Sequence, residues 1–249
     1  MSQAKHHIKM IYAVVFVQCL LLIMGNTAYA EPYLQLDANP AVYVAGEEDS
    51  TVTTSDVFTL YALVNSNAPK APNPIDLLKK YYLSIAIVPK VDTPTDLGSF
   101  TIYGPGIPSL PEIPDNIIDV TGEMQYGIPP VAAEIFQDLP SHGIFDTYFT
   151  EIPFTLTGAT RTNLYDVEFN SGGPGPENPS GELYYQEFAV DATGLNNDYF
   201  LHFDLYTGVN GAIKFAPPSH DVTHAPVPGA LLLGMLGMGV AGMKLRKYA

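Results

Sequence analysis

Short runs of β-branched and aromatic residues, separated by Gly and Pro, recur along the chain between residues 34 and 206. Such runs favour β-strands, and the segments between them favour turns. The pattern predicts an all-β fold, a two-sheet β-sandwich of about nine strands. The predicted strands are Leu34–Leu36, Val42–Val44, Val57–Val64, Tyr81–Val88, Phe100–Tyr103, Ile117–Val120, Ile152–Leu156, Leu183–Val190 and Phe200–Tyr206.

Three of these runs carry a signal about burial. Val57–Val64 and Tyr81–Val88 are almost continuously apolar, which predicts strands that are covered on both faces. In Phe200–Tyr206 apolar and polar residues alternate, with His202 and Asp204 on the polar side. That alternation predicts a strand with one buried face and one exposed face.

The remaining body contains one or two short helices and two long loops. Asn73–Lys80 begins with a capping residue followed by proline, which predicts a short helix. Val131–Gln137 follows two prolines and is a second candidate helix. Gly104–Pro114 and Ser171–Gly181 are rich in Gly and Pro without apolar periodicity, so they are predicted to be surface loops.

The first thirty residues have the three parts of a secretory signal peptide. A positive opening precedes an apolar run, and Ala28-Tyr29-Ala30 is a small-x-small cleavage site. We predict that residues 1–30 are removed by cleavage before Glu31. Cys19, the single cysteine, lies inside this segment, so the mature body has no disulfide.

Residues 224–249 form a second targeting segment at the other end of the chain. The uncharged run Gly229–Met243 would rise roughly 22 Å as a helix, against about 30 Å of bilayer hydrocarbon. We predict a short membrane span at about residues 228–243. The basic residues of the tail at 244–249, Lys244, Arg246 and Lys247, should remain on the cytoplasmic side and leave the body outside.

The order of these parts resembles the PEP-CTERM sorting signal of Gram-negative bacteria. That signal consists of a Val-Pro-Glu-Pro motif, an apolar span and a basic terminus, and an exosortase reads it. Here Val227-Pro228 is followed by Gly229-Ala230, so the motif is a variant that begins with Val-Pro. The resemblance implies processing by an exosortase-type enzyme at the inner membrane. It leaves open whether the tail is cleaved or remains as a plain anchor.

The body, residues 31–223, is one domain in length and strongly acidic. All 26 Asp and Glu lie between the targeting segments, and five of the 11 Lys and Arg lie within those segments. The body therefore carries a net charge of about −20, which argues against a nucleic-acid partner. An exported body of this charge, delivered to the outer face of the inner membrane and then to the cell surface or beyond, is the expected product.

Several strings in the body resemble exported bacterial proteins of the choice-of-anchor N family, which occur with alternative C-terminal anchors. The resemblance implies an exported, anchored architecture and supplies no catalytic residue. The strings are Phe58–Leu63, Asp96–Phe100, His142–Phe145, Thr147–Phe149, Asn178–Gly181, His202–Tyr206, Phe215–Pro217 and Ser219–Asp221.

Candidate chemistry in the body is sparse. Ser141-His142 and Ser219-His220-Asp221 place triad residue types side by side, but neighbours in an extended chain point to opposite faces. We expect polar loop residues at both places. No zinc motif or other cofactor motif is present. The oxygen-rich turns Glu47–Asp49 and Asn196–Asp198 are possible calcium sites, although solvated acidic turns are more typical of such sequences.

Two functional hypotheses remain open. The first is a non-enzymatic structural or interaction protein of the bacterial surface or extracellular matrix, associated with membrane, sorting enzyme and envelope polysaccharide. The second is a carbohydrate-binding module or a polysaccharide hydrolase, which the many tyrosines favour and the absence of tryptophan disfavours.

Overall fold

The fold is mostly β and consists of two sheets. The computed structural model describes residues 32–45, 49–69, 71, 74–91, 96–104, 117–131, 145–196, 198–209 and 212–225. Fourteen strands, two single-turn α-helices and one 3-10 helix lie in this part of the chain. None of the helices in these described ranges has the length and apolar character of a membrane span.

Sheet A has six strands, and its order differs from the chain order. It runs β1 (Leu34–Asn39), β4 (Val57–Asn65), β11 (Leu183–Asp191), β6 (Ser99–Tyr103) and β7 (Ile117–Asp119), with β10 (Thr160–Thr162) also paired to β11. The described pairings within this sheet are antiparallel.

Sheet B has eight strands and contains a parallel pair, β14 beside β3. It runs β2 (Val42–Val44), β3 (Ser50–Thr53), β14 (Val222–His224), β12 (Phe200–Val209), β5 (Tyr81–Val88), β9 (Thr147–Phe154) and β8 (Gln125–Gly127), with β13 (Ala212–Phe215) also paired to β12. The two α-helices are α1 (Val120–Glu123) and α2 (Val167–Asn170), and the 3-10 helix spans Pro218–His220.

The core lies between the two sheets, where the alternate apolar residues of each long strand meet. Leu36 and Phe188 of sheet A are fully buried, as are Ile85 and Phe203 of sheet B. An aromatic series crosses the interface: Phe154 lies 5.7 Å from Tyr81 and 5.1 Å from Phe188, measured between ring centroids. The β-sandwich that the strand pattern predicts is therefore consistent with the observed layers.

Each predicted strand overlaps an observed one, but the predicted number is too low. Five short strands were missed: β3, β8, β10, β13 and β14. They have three or four residues each, and most include polar positions, so no periodicity marks them. They become strands because they pair with a strand already in the sheet, as β14 does with β12.

The predicted helix Asn73–Lys80 is wrong over its described part, residues 74–80, which forms turns. Asp76 explains the difference, because its Oδ1 accepts a hydrogen bond from the Leu78 backbone N–H at 2.9 Å. Its backbone oxygen also accepts from the Lys79 N–H at 3.2 Å. An Asp side chain that binds its own backbone in this way competes with helix formation. The second candidate helix, Val131–Gln137, and the loop Gly104–Pro114 lie largely outside the described residues.

The loop Ser171–Gly181 is confirmed as a loop, and its start is fixed to the outer face of sheet A. The backbone N–H groups of Gly172 and Gly173 donate to the Asp37 carboxylate at 3.0 and 2.9 Å, and the Tyr165 hydroxyl donates at 2.9 Å. Both glycines have positive φ, 110° and 104°, a backbone conformation that other residues rarely adopt. Burial raises the pKa of Asp37, and these donors oppose that rise.

Strand β12 differs from its predicted half-buried pattern. Leu201, Phe203 and Leu205 face the core as expected, but His202 and Asp204 on the other face are also buried. Their exposed fractions are only 3% and 1%. Polar residues enclosed on the outer face of sheet B are the most unusual feature of the fold.

Candidate functional site

The most unusual group of side chains is a closed cluster of His202, Asp204 and Asp221. His202 Nε2 lies 3.4 Å from Asp204 Oδ1 and 3.9 Å from Asp221 Oδ2. One ligand-type atom from each of the three residues lies within 4.8 Å of the other two. All three residues are at least 97% buried. The cluster therefore concentrates two carboxylates and an imidazole in an environment without bulk water.

Strand geometry brings the three residues together. His202 and Asp204 are two positions apart on β12, so their side chains share one face. The register pairs Leu201 with His224 and Phe203 with Val222. Continued by one step, that register places Asp221, at the entrance to β14, opposite Asp204. The spacing His202-x-Asp204 is visible in the sequence, but strand alternation alone predicts an exposed polar face at these positions.

The two carboxylates of the cluster lack hydrogen-bond donors. Within the described part of the chain, none of the four oxygens of Asp204 and Asp221 accepts a hydrogen bond. Burial raises the pKa of Asp221 well above its usual range, and the neighbouring Asp204 charge raises it further. Buried ionised groups of this kind need a compensating charge or proton.

Thr223 orients the imidazole of the cluster. Its hydroxyl lies 3.0 Å from His202 Nδ1, so the other ring nitrogen, Nε2, is directed towards the two carboxylates. On β5, Ser84 pairs with Asp204 in the register, and its buried hydroxyl has no hydrogen-bond partner among the described residues. The arrangement of two carboxylates and one oriented imidazole nitrogen is one that can hold a divalent cation.

A second group, formed by Asp166, Glu168, Ser219 and His220, is bound into local structure. His220 Nε2 lies 3.2 Å from Asp166 Oδ1, and its Nδ1 lies 2.8 Å from the Ser219 hydroxyl oxygen. Asp166 also caps α2, because its Oδ1 accepts from the Glu168 N–H at 2.9 Å. This group joins α2 to the 3-10 helix. Burial lowers the pKa of His220, while the nearby Asp166 and Glu168 charges raise it.

The extended chain assumed for Ser219-His220-Asp221 is wrong. Ser219 and His220 lie in a 3-10 helix, so their side chains do meet. His220 and Asp221 are also buried, with exposed fractions of 4% and 1%. Although they are neighbours in the chain, His220 belongs to the group around Asp166, and Asp221 belongs to the cluster with His202. The carboxylate beside the His220 ring is therefore that of Asp166. Ser141-His142 lies outside the described residues.

The two acidic turns considered for calcium are only partly described. Of Glu47–Asp49, only Asp49 is described, and its Oδ1 accepts a hydrogen bond from the Tyr43 hydroxyl. In the turn Asn196–Asp198, the Asn196 side chain accepts from the Asp198 N–H at 3.2 Å. One side-chain oxygen of Asp49 and one of Asn196 are thus engaged in local hydrogen bonds.

The residues predicted for sorting and cleavage all lie outside the described part of the chain. This applies to Val227, Pro228, Gly229, Ala230, Lys244, Arg246 and Lys247, and to Ala28, Ala30 and Glu31. Their roles remain predictions from the sequence.

His224, next to the cluster on β14, should give the stability a pH dependence. Its ring stacks on Phe58 with a centroid distance of 5.6 Å, and Nε2 lies 3.3 Å from Asp56 Oδ1. Burial lowers the pKa of His224 below its usual 6.5, although Asp56 raises it partway back. The folded protein therefore holds the neutral ring at a pH where the unfolded chain binds a proton.

The free energy of unfolding should accordingly fall as the pH drops below 6.5, and this contribution should level off below the folded pKa of His224. Each unit between the unfolded and folded pKa contributes about 1.4 kcal/mol. His224→Gln, which retains a donor near Asp56, should remove this part of the slope. Urea denaturation from about pH 8 to about pH 5 measures it. An unchanged slope in the variant would contradict the assignment.

Comparisons of the chain with protein-family models, with curated proteins and with solved structures gave no match.

Proposed function

We propose that this is an exported bacterial protein of the cell surface or extracellular matrix, with a non-enzymatic structural or interaction role. In this proposal the β-sandwich is the exported body, the first thirty residues are a cleaved signal peptide, and the C-terminal segment is a membrane anchor or exosortase signal. The observation that carries the proposal is the order of the tail: Val227-Pro228, the uncharged run Gly229–Met243, and the basic residues after it.

The limits of the sandwich support this division of the chain. The first described strand begins at Leu34, three residues after the predicted cleavage site, and the last described strand ends at His224, the first residue of the predicted tail segment and three residues before Val227. Processing at either end would leave every described strand in place. The body also lacks cysteine, so export requires no disulfide formation.

The described chemistry favours a non-enzymatic body over a hydrolase. Glycoside hydrolysis requires two carboxyl groups on either side of an open cleft. The closest acidic pair in the described cluster, Asp204 and Asp221, is 1% exposed at each residue, so a polysaccharide could not reach it. His220 is similarly enclosed, at 4%. These groups are suited to holding the fold together.

The tail is tested by two variants of the full chain expressed in a Gram-negative host. Deletion of Gly229–Ala249 should release the body from the membrane fraction, because it removes the apolar run. Replacement of Lys244, Arg246 and Lys247 by Gln should yield unprocessed soluble protein, because it removes the cytoplasmic stop. Fractionation, with mass measurement of the C-terminus, gives both results.

The matched control replaces three basic residues of the body, Lys79, Lys80 and Lys90, by Gln. It changes the net charge equally and should leave fractionation unchanged. A deletion variant that stays in the membrane, or a wild-type protein that is soluble with its tail intact, would overturn the anchoring proposal. A wild-type protein that stays in the membrane with its tail intact would replace the exosortase signal with a plain anchor.

A further inference from the structure

Two adjacent carboxylates are enclosed in the described body without a hydrogen-bond donor or a Lys or Arg partner among the described residues. They are Asp204 and Asp221, each 1% exposed. An uncompensated carboxylate in such a place costs several kcal/mol, and two of them repel each other. Something must neutralise the pair, and the candidates are protons or a cation.

We propose that His202, Asp204 and Asp221 are the protein ligands of a buried divalent cation of the zinc class. The cation would stand between His202 Nε2 and one oxygen from each carboxylate. Its two positive charges would balance the two carboxylates. It would also give the carboxylate oxygens the partner that the described residues do not supply.

The distances in the cluster fit this class of ion. In a tetrahedral site with metal–ligand bonds of about 2.0–2.1 Å, the ligand atoms stand about 3.3 Å apart. His202 Nε2 lies 3.4 and 3.9 Å from the two carboxylates, longer than an ordinary N–H···O bond. One carboxylate oxygen of Asp204 and one of Asp221 lie within 4.8 Å of each other, so a contraction of the three ligand atoms towards a common centre would complete the geometry.

The donor set favours zinc, or another borderline first-row metal, over calcium. Imidazole nitrogen is a common ligand of zinc and its neighbours, whereas calcium takes oxygen ligands in larger numbers. Thr223 supports the assignment, because its contact with His202 Nδ1 holds the ring with Nε2 towards the carboxylates. Three protein ligands leave a fourth position for water or a further side chain. Ser84 pairs with Asp204 in the register, and its buried hydroxyl has no hydrogen-bond partner among the described residues.

Such an ion would join two parts of sheet B that are close in space but distant in the chain. His202 and Asp204 lie on the central strand β12, and Asp221 lies at the entrance to β14, a strand of only three residues. A body without cysteine has no disulfide to fix so short a strand. A structural metal would stabilise the folded body by its binding free energy, because the unfolded chain has no preformed site.

The test uses the full chain, purified in detergent, unfolded with chelator and refolded with or without ZnCl₂. Wild type refolded with zinc should retain about one Zn²⁺ per chain after dialysis, measured by inductively coupled plasma mass spectrometry. With free zinc about a hundredfold above its dissociation constant, the midpoint of thermal unfolding should rise by about 5–10 °C. Asp204→Asn and Asp221→Asn should lose both the metal and this rise.

The same two Asn variants also show whether a cation or shared protons neutralise the carboxylates, because the two cases predict different orders of melting temperature for wild type and variants. Each Asn variant removes one buried charge without changing the side-chain shape, so metal-free variants should melt above metal-free wild type. With zinc, wild type should melt above the variants. Asp56→Asn is the matched control: it removes a carboxylate beside a different buried histidine, His224, and should keep the zinc.

Wild type that retains less than about a tenth of an equivalent of Zn²⁺, Mn²⁺ or Fe²⁺ would overturn the proposal. So would retention of the metal by both Asn variants, or stoichiometric binding of Ca²⁺ alone. Wild type and variants that keep the same order of melting temperatures with and without zinc would identify shared protons as the neutralising charge.

Discussion

Phe188→Ala should lower the free energy of unfolding by about 3–5 kcal/mol, because it removes a fully buried ring from the centre of the sandwich. Phe188 lies on β11 in the middle of sheet A, and its ring meets Phe154 of sheet B edge to face, at 5.1 Å and 76°. Phe154 in turn packs against Tyr81. The substitution would therefore leave a cavity at the point where the two sheets are joined.

The measurement is urea denaturation of the refolded protein, followed by far-ultraviolet circular dichroism. Phe169→Ala is the matched control, because the same side chain is 68% exposed at that position on α2. Phe169→Ala should change the free energy of unfolding by no more than about 0.5 kcal/mol. Equal losses in the two variants would show that the described core does not carry the stability.

Asp37→Ala should lower the free energy of unfolding by about 3–6 kcal/mol, since several buried donors would lose their acceptor together. The carboxylate accepts from the N–H groups of Ala38, Gly172 and Gly173 and from the Tyr165 hydroxyl. Asp37 itself is fully buried, so water does not replace it. The first turn of the loop Ser171–Gly181 should detach from β1.

Two further variants separate the hydrogen bonds from the packing. Asp37→Asn keeps the side-chain shape and one acceptor oxygen, so it should lower the free energy of unfolding by less than Asp37→Ala does. Tyr165→Phe removes a single donor and should cost about 1 kcal/mol. Hydrogen exchange of the Gly172 and Gly173 amides shows directly whether the start of the loop remains bound to β1. Protection that survives in Asp37→Ala would contradict the role assigned to the carboxylate.

Residues 219–221 connect two of the histidine–carboxylate groups in the described part of the body. Within one short turn, His220 enters the group around Asp166, and Asp221 enters the cluster with His202. The strand that follows, β14, is the last described element before the predicted anchor. Both groups thus hold the segment through which the tail would be attached to the body.

The fold class and the long strands could be predicted from the sequence because they depend on local patterns. The apolar run Tyr81–Val88 is buried along almost its whole length, as predicted. The other such run, Val57–Val64, is covered on both faces only towards its end, since Val57 is 57% exposed. Gly and Pro interrupt strands in any context. The predicted targeting segments likewise depend on local properties, since charge and apolar length are the features from which export and membrane insertion are predicted. No partner element is needed to recognise them.

Tertiary structure decided the short strands and the buried polar groups. Val222–His224 carries no periodic signal, and it is a strand because β3 and β12 lie on either side of it. Alternation along β12 identified which residues share a face, but it could not tell whether that face meets water. That depends on elements distant in the chain, as does the meeting of His202 and Asp204 with Asp221. A sequence records the spacing of side chains along one strand; only the packed fold determines what stands opposite them.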